Sequence, residues 1–225
     1  MLAPDRRLPF VFVDDLEVPV LSADDRHHLE RVLRLRSGDA LTAGDGAGRF
    51  RPTRLADPLV IDGDIVALAA PSPAITVAFA LTKGDKPELV VQKLVEIGVD
   101  RIVPFVAERT VVRWDDTKVT RNVQRWRAIA REAAAQAHRP HLAEVADVTS
   151  FGELAARPGA ALAHPEGTEA ADWGDAFPAT VLVGPEGGWS PEEELAVPSW
   201  VRVGPHILRA ETAALVVATL AVSKR

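Results

Sequence analysis

Residues 179–194 read Ala179-Thr180-Val181-Leu182-Val183-Gly184-Pro185-Glu186-Gly187-Gly188-Trp189-Ser190-Pro191-Glu192-Glu193-Glu194, and the rest of the chain is organised around them. Val181, Leu182 and Val183 form a short continuous apolar run of the kind a fully buried strand shows. Gly184, Gly187 and Gly188 then let the backbone turn sharply and approach another group closely. Ser190 suits a helix N-cap, Pro191 the first helical position, and Glu193 completes a capping box. A glycine loop between a buried strand and a helix start is where open α/β sheets bind ligands. Three glycines around Pro185 and Glu186 exceed what a plain connection needs, so a ligand loop is expected.

Two common nucleotide loops are excluded. No Gly-Lys-Ser/Thr ending follows Gly188, as a Walker loop requires, and the G-x-G-x-x-G fingerprint is absent. A loop without lysine, with Glu186 inside it, is a poor phosphate cradle. It suits a ligand held by backbone groups and carrying positive charge.

A second stretch answers the first. Val201-Arg202-Val203-Gly204-Pro205-His206-Ile207-Leu208-Arg209-Ala210-Glu211-Thr212 again runs strand, loop, helix start. The helix expected over 213–222 is apolar all round, which places it in a core or at a subunit contact. Arg209 and Glu211 stand at its mouth. As an exposed ion pair they would contribute little. Two such strand–loop–helix units close in sequence favour a shared pocket instead.

The rest of the chain divides by pattern. Residues 1–70 read as a small β-rich module with one helix. It holds a strand at 10–13, a helix over 24–36 capped from Ser22, a hairpin around Gly44-Asp45-Gly46-Ala47-Gly48, and a further strand in 58–68. Ala70-Pro71-Ser72-Pro73 is a linker. From residue 74 strands and helices alternate, which argues a mostly parallel sheet covered by helices. Strands are expected at 75–81, 102–106, 160–163, 180–183 and 201–203. Asp85 with Glu88 caps one helix, lined by Leu89, Leu94, Val95 and Ile97 and ended by Gly98. Val119, Val123, Trp126, Ala130, Ala133 and Ala137 recur at helical spacing in a longer one, whose other face holds Arg121, Arg125, Arg127 and Arg131.

Gly184-Pro185-Glu186-Gly187-Gly188 and Leu208-Arg209-Ala210-Glu211-Thr212-Ala213-Ala214-Leu215 resemble motifs of the RsmE family. Leu81-Thr82-Lys83-Gly84-Asp85-Lys86 and Glu108-Arg109 support the resemblance, which covers most of the chain. These are bacterial SPOUT-superfamily methyltransferases that modify N3 of one uridine in 16S ribosomal RNA. The resemblance implies an α/β C-terminal domain over 74–225, tied in a trefoil knot, and a PUA-like RNA-binding β-barrel over 1–70. Composition and periodicity contain no sign of a knot, and knots are rare.

It further implies S-adenosylmethionine as cofactor, held by Gly184, Glu186, Gly187, Gly188, Gly204, Ile207 and Leu208. Uridine N3 must lose a proton before it can attack, and the negative charge spreads to O2 and O4. Arg209 is the group expected to stabilise that charge. Glu211 either takes the proton or holds Arg209. Arg31, Arg34, Lys83, Lys86, Arg109 and Arg139 would contact RNA. Arg31 and Arg34 lie in the family's H-x-x-R-V-L-R pattern, and Arg139 in its Q-x-x-R. Read alone, Arg31 and Arg34 would be a solvated face of the first helix. Ala107, Ala135 and Ala143 depart from the family's usual Ser, Glu and Pro. The family also implies a homodimer paired through the last helix. Two alternatives stay open: a SPOUT enzyme acting on ribose 2′-hydroxyls, and a non-catalytic RNA-binding assembly protein.

Composition bounds these readings. The chain has 225 residues, 47% of them apolar, enough for one large domain or two small ones. It has no Cys, which excludes disulfides, thiolate metal sites and a cysteine nucleophile. No metal is expected. Residues 1–7 hold no apolar signal core and no run reaches the length of a membrane span, so a cytoplasmic protein is expected. The net charge of −6 means that attraction to RNA must come from local patches.

Overall fold

In the computed structural model, which describes residues 4–225, the chain divides into two compact units. Residues 1–3, part of the leading segment read for a signal core, lie outside the described residues. One unit comprises residues 1–70 and 131–142, the other residues 71–130 and 143–225. The linker at residues 70–73 therefore falls at a boundary, but residues 131–142 group with the first unit.

In the first unit, β1 (Phe10–Phe12) is followed by α1 (Ala23–His27), β2 (Ala40–Gly44), β3 (Arg49–Arg54), β4 (Val60–Ile61) and β5 (Val66–Ala67). Strand β1 pairs parallel to β2, the β2–β3 hairpin is antiparallel, and both β4 and β5 pair with β3. Val11, Val13, Leu29, Leu41, Ala43, Leu55 and Leu59 form its core. The helix expected over 24–36 is shorter. After α1 the chain widens into a π-type turn over His28–Val32, with Leu33 N–H donating to His28 O. Arg34 then adopts φ 60°, a left-handed conformation a helix cannot contain. Arg31 and Arg34 are thus both exposed but do not share a helix face.

The second unit carries β6 (Thr76–Ala80), α2 (Lys86–Ile97), β7 (Arg101–Val106), α3 (Asp116–Gln136, which continues into the first unit's residues), β8 (Glu144–Val145) and β9 (Thr149–Ser150). Then come α4 (Phe151–Ala155), β10 (Ala160–Glu169), β11 (Thr180–Val183), α5 (Pro191–Ala196), β12 (Trp200–Arg202) and α6 (Ala210–Ser223). The sheet runs β12-β10-β11-β6-β7-β8, with β9 also on β7, and every pairing is parallel. All five residues of β6 are buried, as a sheet covered on both faces requires. Ala78, Ala80, Phe105, Leu162, Leu182 and Trp189 belong to one core cluster. Helix α6 lies against α2, β6 and β11.

Three local expectations change. Asp85 sits at the N-cap of α2 but its side chain makes no capping bond. Leu89 is exposed, because Val90, Val91, Leu94 and Val95 form the inward stripe. Strand β10 runs on to Glu169, past the expected end at 163, with a register shift against β12. Helix α6 also has sides. Ala213, Ala214, Val217, Ala218 and Ala221 are buried, Thr212 and Thr219 exposed, and Leu215, Val216, Leu220 and Val222 half-buried. Among the described residues no helix is long and apolar enough to cross a membrane.

Candidate active site

A parallel sheet carries the C-terminal ends of its strands to one edge, and the quoted motifs emerge there. The glycine loop leaves β11, residues 81–85 leave β6, Glu108-Arg109 follows β7, and residues 203–209 connect β12 to α6.

The glycine loop is held by packing as well as by turns. Gly188 N–H donates to Pro185 O at 2.9 Å, and Gly188 has φ +71°. A Cβ at Gly184 would come within 2.9 Å of Trp189 Cε2, so the indole packs directly against this backbone. Trp189 is 5% exposed, stacks on Phe105 at 6.1 Å, and donates Nε1–H to Ala163 O at 3.0 Å. These contacts fix the loop to β7 and β10. The capping box is present. Ser190 Oγ accepts from Glu193 N–H, and Glu193 Oε2 accepts from Ser190 N–H at 3.0 Å. The other oxygen of Glu193 accepts from Glu108 N–H at 2.9 Å. Arg109 Nη1 in turn donates to Gly187 O at 3.2 Å. The start of the loop after β7 is therefore tied both to the first turn of α5 and to the glycine loop, a relationship the sequence reading missed.

Lys86 joins the two motifs. Its Nζ donates to Glu186 Oε1 at 2.9 Å and stands 3.6 Å from Glu211 Oε2. The hydrogen bond from Lys86 holds the Glu186 carboxyl below its ordinary range, and the same bond raises Lys86. This cation changes the surroundings of both acids. Glu186, in the glycine loop, has Lys86 as a partner. Glu211 pairs with Lys86 and not with Arg209. Arg209 N-caps α6 through its backbone without a side-chain capping bond, and its side chain is exposed. Glu211 Oε2 is buried and accepts no hydrogen bond among the described residues.

Gly204, Ile207 and Leu208 line a small pocket of about 80 Å³ with Ala163, Val203 and Ala213. Ile207 is 87% exposed, an unusual position for a large apolar side chain. The cofactor residues expected from sequence thus fall in two places: the glycine loop, and this pocket at the mouth of α6. Lys86 spans the two motifs.

The cations expected to meet RNA differ in what they do. Lys83 and Arg109 are exposed at this edge, and Arg139 is half-buried in the first unit. Lys86 is held in the ion pairs above. The basic face of α3 is largely occupied. Arg125 pairs with Glu88 at 2.8 Å, and Arg127 pairs with Asp147 at 3.0 Å while donating to Val145 O. Arg131 donates to Phe12 O at 2.7 Å.

Comparison with known proteins gives concordant matches. Residues 70–222 match a family model described as the RNA methyltransferase domain, and residues 21–58 one described as the RNA methyltransferase PUA domain. A Mycobacterium bovis protein named ribosomal RNA small subunit methyltransferase E is 34% identical over 167 residues, 68% of this chain and 63% of the relative. A Bacillus subtilis protein of the same name is 34% identical over 150 residues, 63% of this chain and 58% of the relative. These alignments span less than two thirds of the relatives' own length. Among solved structures, a putative methyltransferase from Legionella pneumophila, in complex with the cofactor SAM, superposes with TM-score 0.85. It is 26% identical and covers 96% of this chain and 98% of its own. A ribosomal RNA small subunit methyltransferase E from Neisseria gonorrhoeae, bound to S-adenosyl methionine, gives TM-score 0.78 at 26% identity. The superposition covers 94% of this chain and 96% of that one.

Proposed function

The chain belongs to the RNA methyltransferase domain family, and from that premise we propose that it methylates N3 of a specific uridine in 16S ribosomal RNA, with S-adenosylmethionine as methyl donor. The observation that carries the proposal is the Lys86 bridge, which joins the glycine loop and the mouth of α6 at one sheet edge.

The residues fit the donor. Gly188 offers left-handed backbone with nothing nearer than 4.0 Å to a built Cβ, so open space faces the loop. Val203, Leu208 and Ala213 supply apolar lining for an adenine. Glu211 Oε2 is buried, 3.6 Å from Lys86 Nζ and without a hydrogen bond, so it can still accept from an N–H-bearing group. When bound, the donor supplies a methyl group on a sulfonium, an electrophile that needs no metal. Gly184, Gly187 and Gly188 present backbone groups to it, with Glu186 held beside them by Lys86. Ile207 closes over the apolar side.

Arg209 is the stabiliser of charge on the uracil oxygens. Its exposure leaves the guanidinium available to an incoming base, and fixed cations near developing charge lower barriers. Glu211, whose Oε2 stands 3.6 Å from Lys86 Nζ, is the candidate proton acceptor. The target base must present N3, so it enters unpaired. Arg31 and Arg34 of the first unit, with Lys83, Arg109 and Arg139, would meet phosphates. The small-subunit methyltransferase names of the relatives and the PUA match favour small-subunit ribosomal RNA as the substrate, and we take the assembled subunit in the cytoplasm as its form. We further read the second unit as the knotted form of the SPOUT fold and the first as a PUA-like barrel. The active species would be a homodimer paired across the half-buried face of α6.

Mass-spectrometric mapping of 16S RNA decides the reaction. Small subunits from a strain lacking this modification, incubated with purified protein and S-adenosylmethionine, should gain one methyl on uridine N3. A methyl on ribose, or none, would overturn the reading.

A further inference from the structure

A cleft of the second unit lies apart from the cofactor loops. It has a volume of about 380 Å³ and lies beside the loop after β6 and the segment between β7 and α3. Lys83, Arg113, Trp114, Lys118, Asn122 and Trp126 are among its lining. Trp114 is half-buried. Its ring is backed by Trp126, 2% exposed, at a centroid distance of 5.9 Å. Lys118 Nζ stands 5.3 Å from the Trp114 centroid.

We infer that this cleft binds an unpaired base of the substrate RNA next to the one being methylated, with Trp114 as the stacking platform. The inference rests on the proposed RNA activity and adds a site to it. A half-exposed indole backed by a buried one can stack a base of any identity once the Lys118 ammonium, 5.3 Å over the ring, moves off it towards phosphate. Lys83, Arg113 and Lys118 place three cations around it, in a chain whose net charge is −6. The one carboxylate in the lining, Glu88, is already held by Arg125 at 2.8 Å. Asp115, next to Trp114 in the chain, keeps its charge while accepting Lys118 N–H at 2.7 Å, but it is not among the cleft's lining. Within the lining itself the balance of charge suits phosphate. Asn122 offers an amide that can both donate to and accept from a base edge.

Position supports the same occupant. Arg109 is bonded to Gly187 O in the glycine loop, and Trp114 follows five residues later. Five residues span at most about 18 Å, so the platform lies within a few nucleotides' reach of that loop. Lys83 opens the loop that leads to Lys86, which ties the two motifs together.

The test measures binding of a fluorescently labelled single-stranded oligouridylate to the full chain, alongside KM and kcat on unmodified small subunits. Trp114→Ala should weaken oligonucleotide binding on the order of tenfold, the usual loss of one base–aromatic stack, and raise KM with kcat little changed. Trp114→Phe should restore most of it. Trp114 packs on a buried ring, so Lys118→Glu and Arg113→Glu, both at exposed positions, provide variants that keep the fold. Each should weaken binding and flatten its salt dependence. Affinity for S-adenosylmethionine should not change in any of them. If Trp114→Ala and both charge reversals bind within twofold of the wild type, the cleft is not an RNA site, whatever the methylation assay shows. Binding that depends on Trp114 in a protein that methylates no RNA would keep the cleft and overturn the proposed reaction.

Discussion

Glu193 and Glu108 are 85 residues apart, yet a carboxylate oxygen of Glu193 accepts the backbone N–H of Glu108 at 2.9 Å. The same side chain caps its own helix by accepting Ser190 N–H at 3.0 Å. One buried carboxylate, 5% exposed, thus satisfies donors from two loops of the candidate site. A buried anion is tolerated where hydrogen bonds meet it.

Replacing Glu193 by Ala leaves both N–H groups unmet and removes half of the capping box. The expected loss is about 2–4 kcal/mol. For a chain of this size that corresponds to a melting point lower by roughly 5–15 °C. Glu193→Gln keeps an acceptor and should lose less. Thermal unfolding followed by circular dichroism checks this. An unchanged melting point for Glu193→Ala would mean that the two loops are held by other contacts.

Gly184 and Gly188 should fail differently. An Ala at Gly184 pushes Cβ to 2.9 Å from Trp189, and overpacking of this kind costs about 1–3 kcal/mol. At Gly188 there is room, but φ is +71°, and a side chain there costs roughly 1–2 kcal/mol of backbone strain. Gly188→Val should therefore retain the fold and lose affinity for S-adenosylmethionine by calorimetry, while Gly184→Ala loses mainly stability. Full affinity in Gly188→Val would remove the glycine loop from the site.

Much of this was readable from residues. The alternation of apolar runs and capped helices gave a parallel sheet, because both features are local. The capping box at Ser190 and Glu193 was likewise local. Lys86 is expected from sequence to face RNA, and its pairing is hidden because its partners, Glu186 and Glu211, are 100 and 125 positions away. No periodicity links such groups. The arginines of α3 looked like a basic face for the same reason: their partners Glu88 and Asp147 come from elsewhere in the chain. The helix over 24–36 was overextended because nothing in Leu33-Arg34-Leu35 signals the left-handed turn at Arg34. The 380 Å³ cleft was not foreseen, although Trp114 and Trp126 stand twelve residues apart at its wall.

The Lys86–Glu186 pair predicts a pH window. Glu186 is held below its ordinary value, so the stability it contributes is complete above about pH 4.3 and is lost as pH falls through the lower folded value. Lys86 is raised, so its contribution is complete below about pH 10.4 and is lost only as pH rises through the higher folded value. Both side chains are partly exposed, so solvent screens the pair and its effect on stability should be small. Cofactor affinity is the more sensitive readout. It should fall on the acid side only below the ordinary carboxylate range, and Lys86→Ala should move that acid limb upward towards the ordinary value. An acid limb at the same pH in Lys86→Ala would separate this pair from the cofactor site.

Arg209 should matter for turnover and not for donor binding. Its side chain is exposed, and Glu211 pairs with Lys86 instead. Arg209→Ala is expected to lower kcat by about 10²–10³, the usual loss of one group that stabilises developing charge. Affinity for S-adenosylmethionine and the melting point should stay as in the wild type. If kcat falls less than threefold, another cation serves the uracil oxygens, and Arg109 becomes the candidate.

The two sides of α6 separate the homodimer from simple burial. Val217 is fully buried within its own chain, so Val217→Asp places a charge in the core and should unfold the protein. It therefore says nothing about association. Val216 lies on the opposite side, half-buried between exposed Thr212 and Thr219, with Leu215 and Val222 nearby at similar exposure. Covering what remains exposed of one such half-buried side chain is worth about 1 kcal/mol, and a second copy of the helix would cover several at once. Val216→Asp should keep the melting point within a few degrees and convert a dimer into a monomer by light scattering at micromolar concentration. If the site is completed across that contact, methylation should fall with the dimer, since isologous pairing brings the same face of each copy together. A wild type that is monomeric and fully active would sink the shared-site model. Arg209 would then have to serve the glycine loop of its own chain.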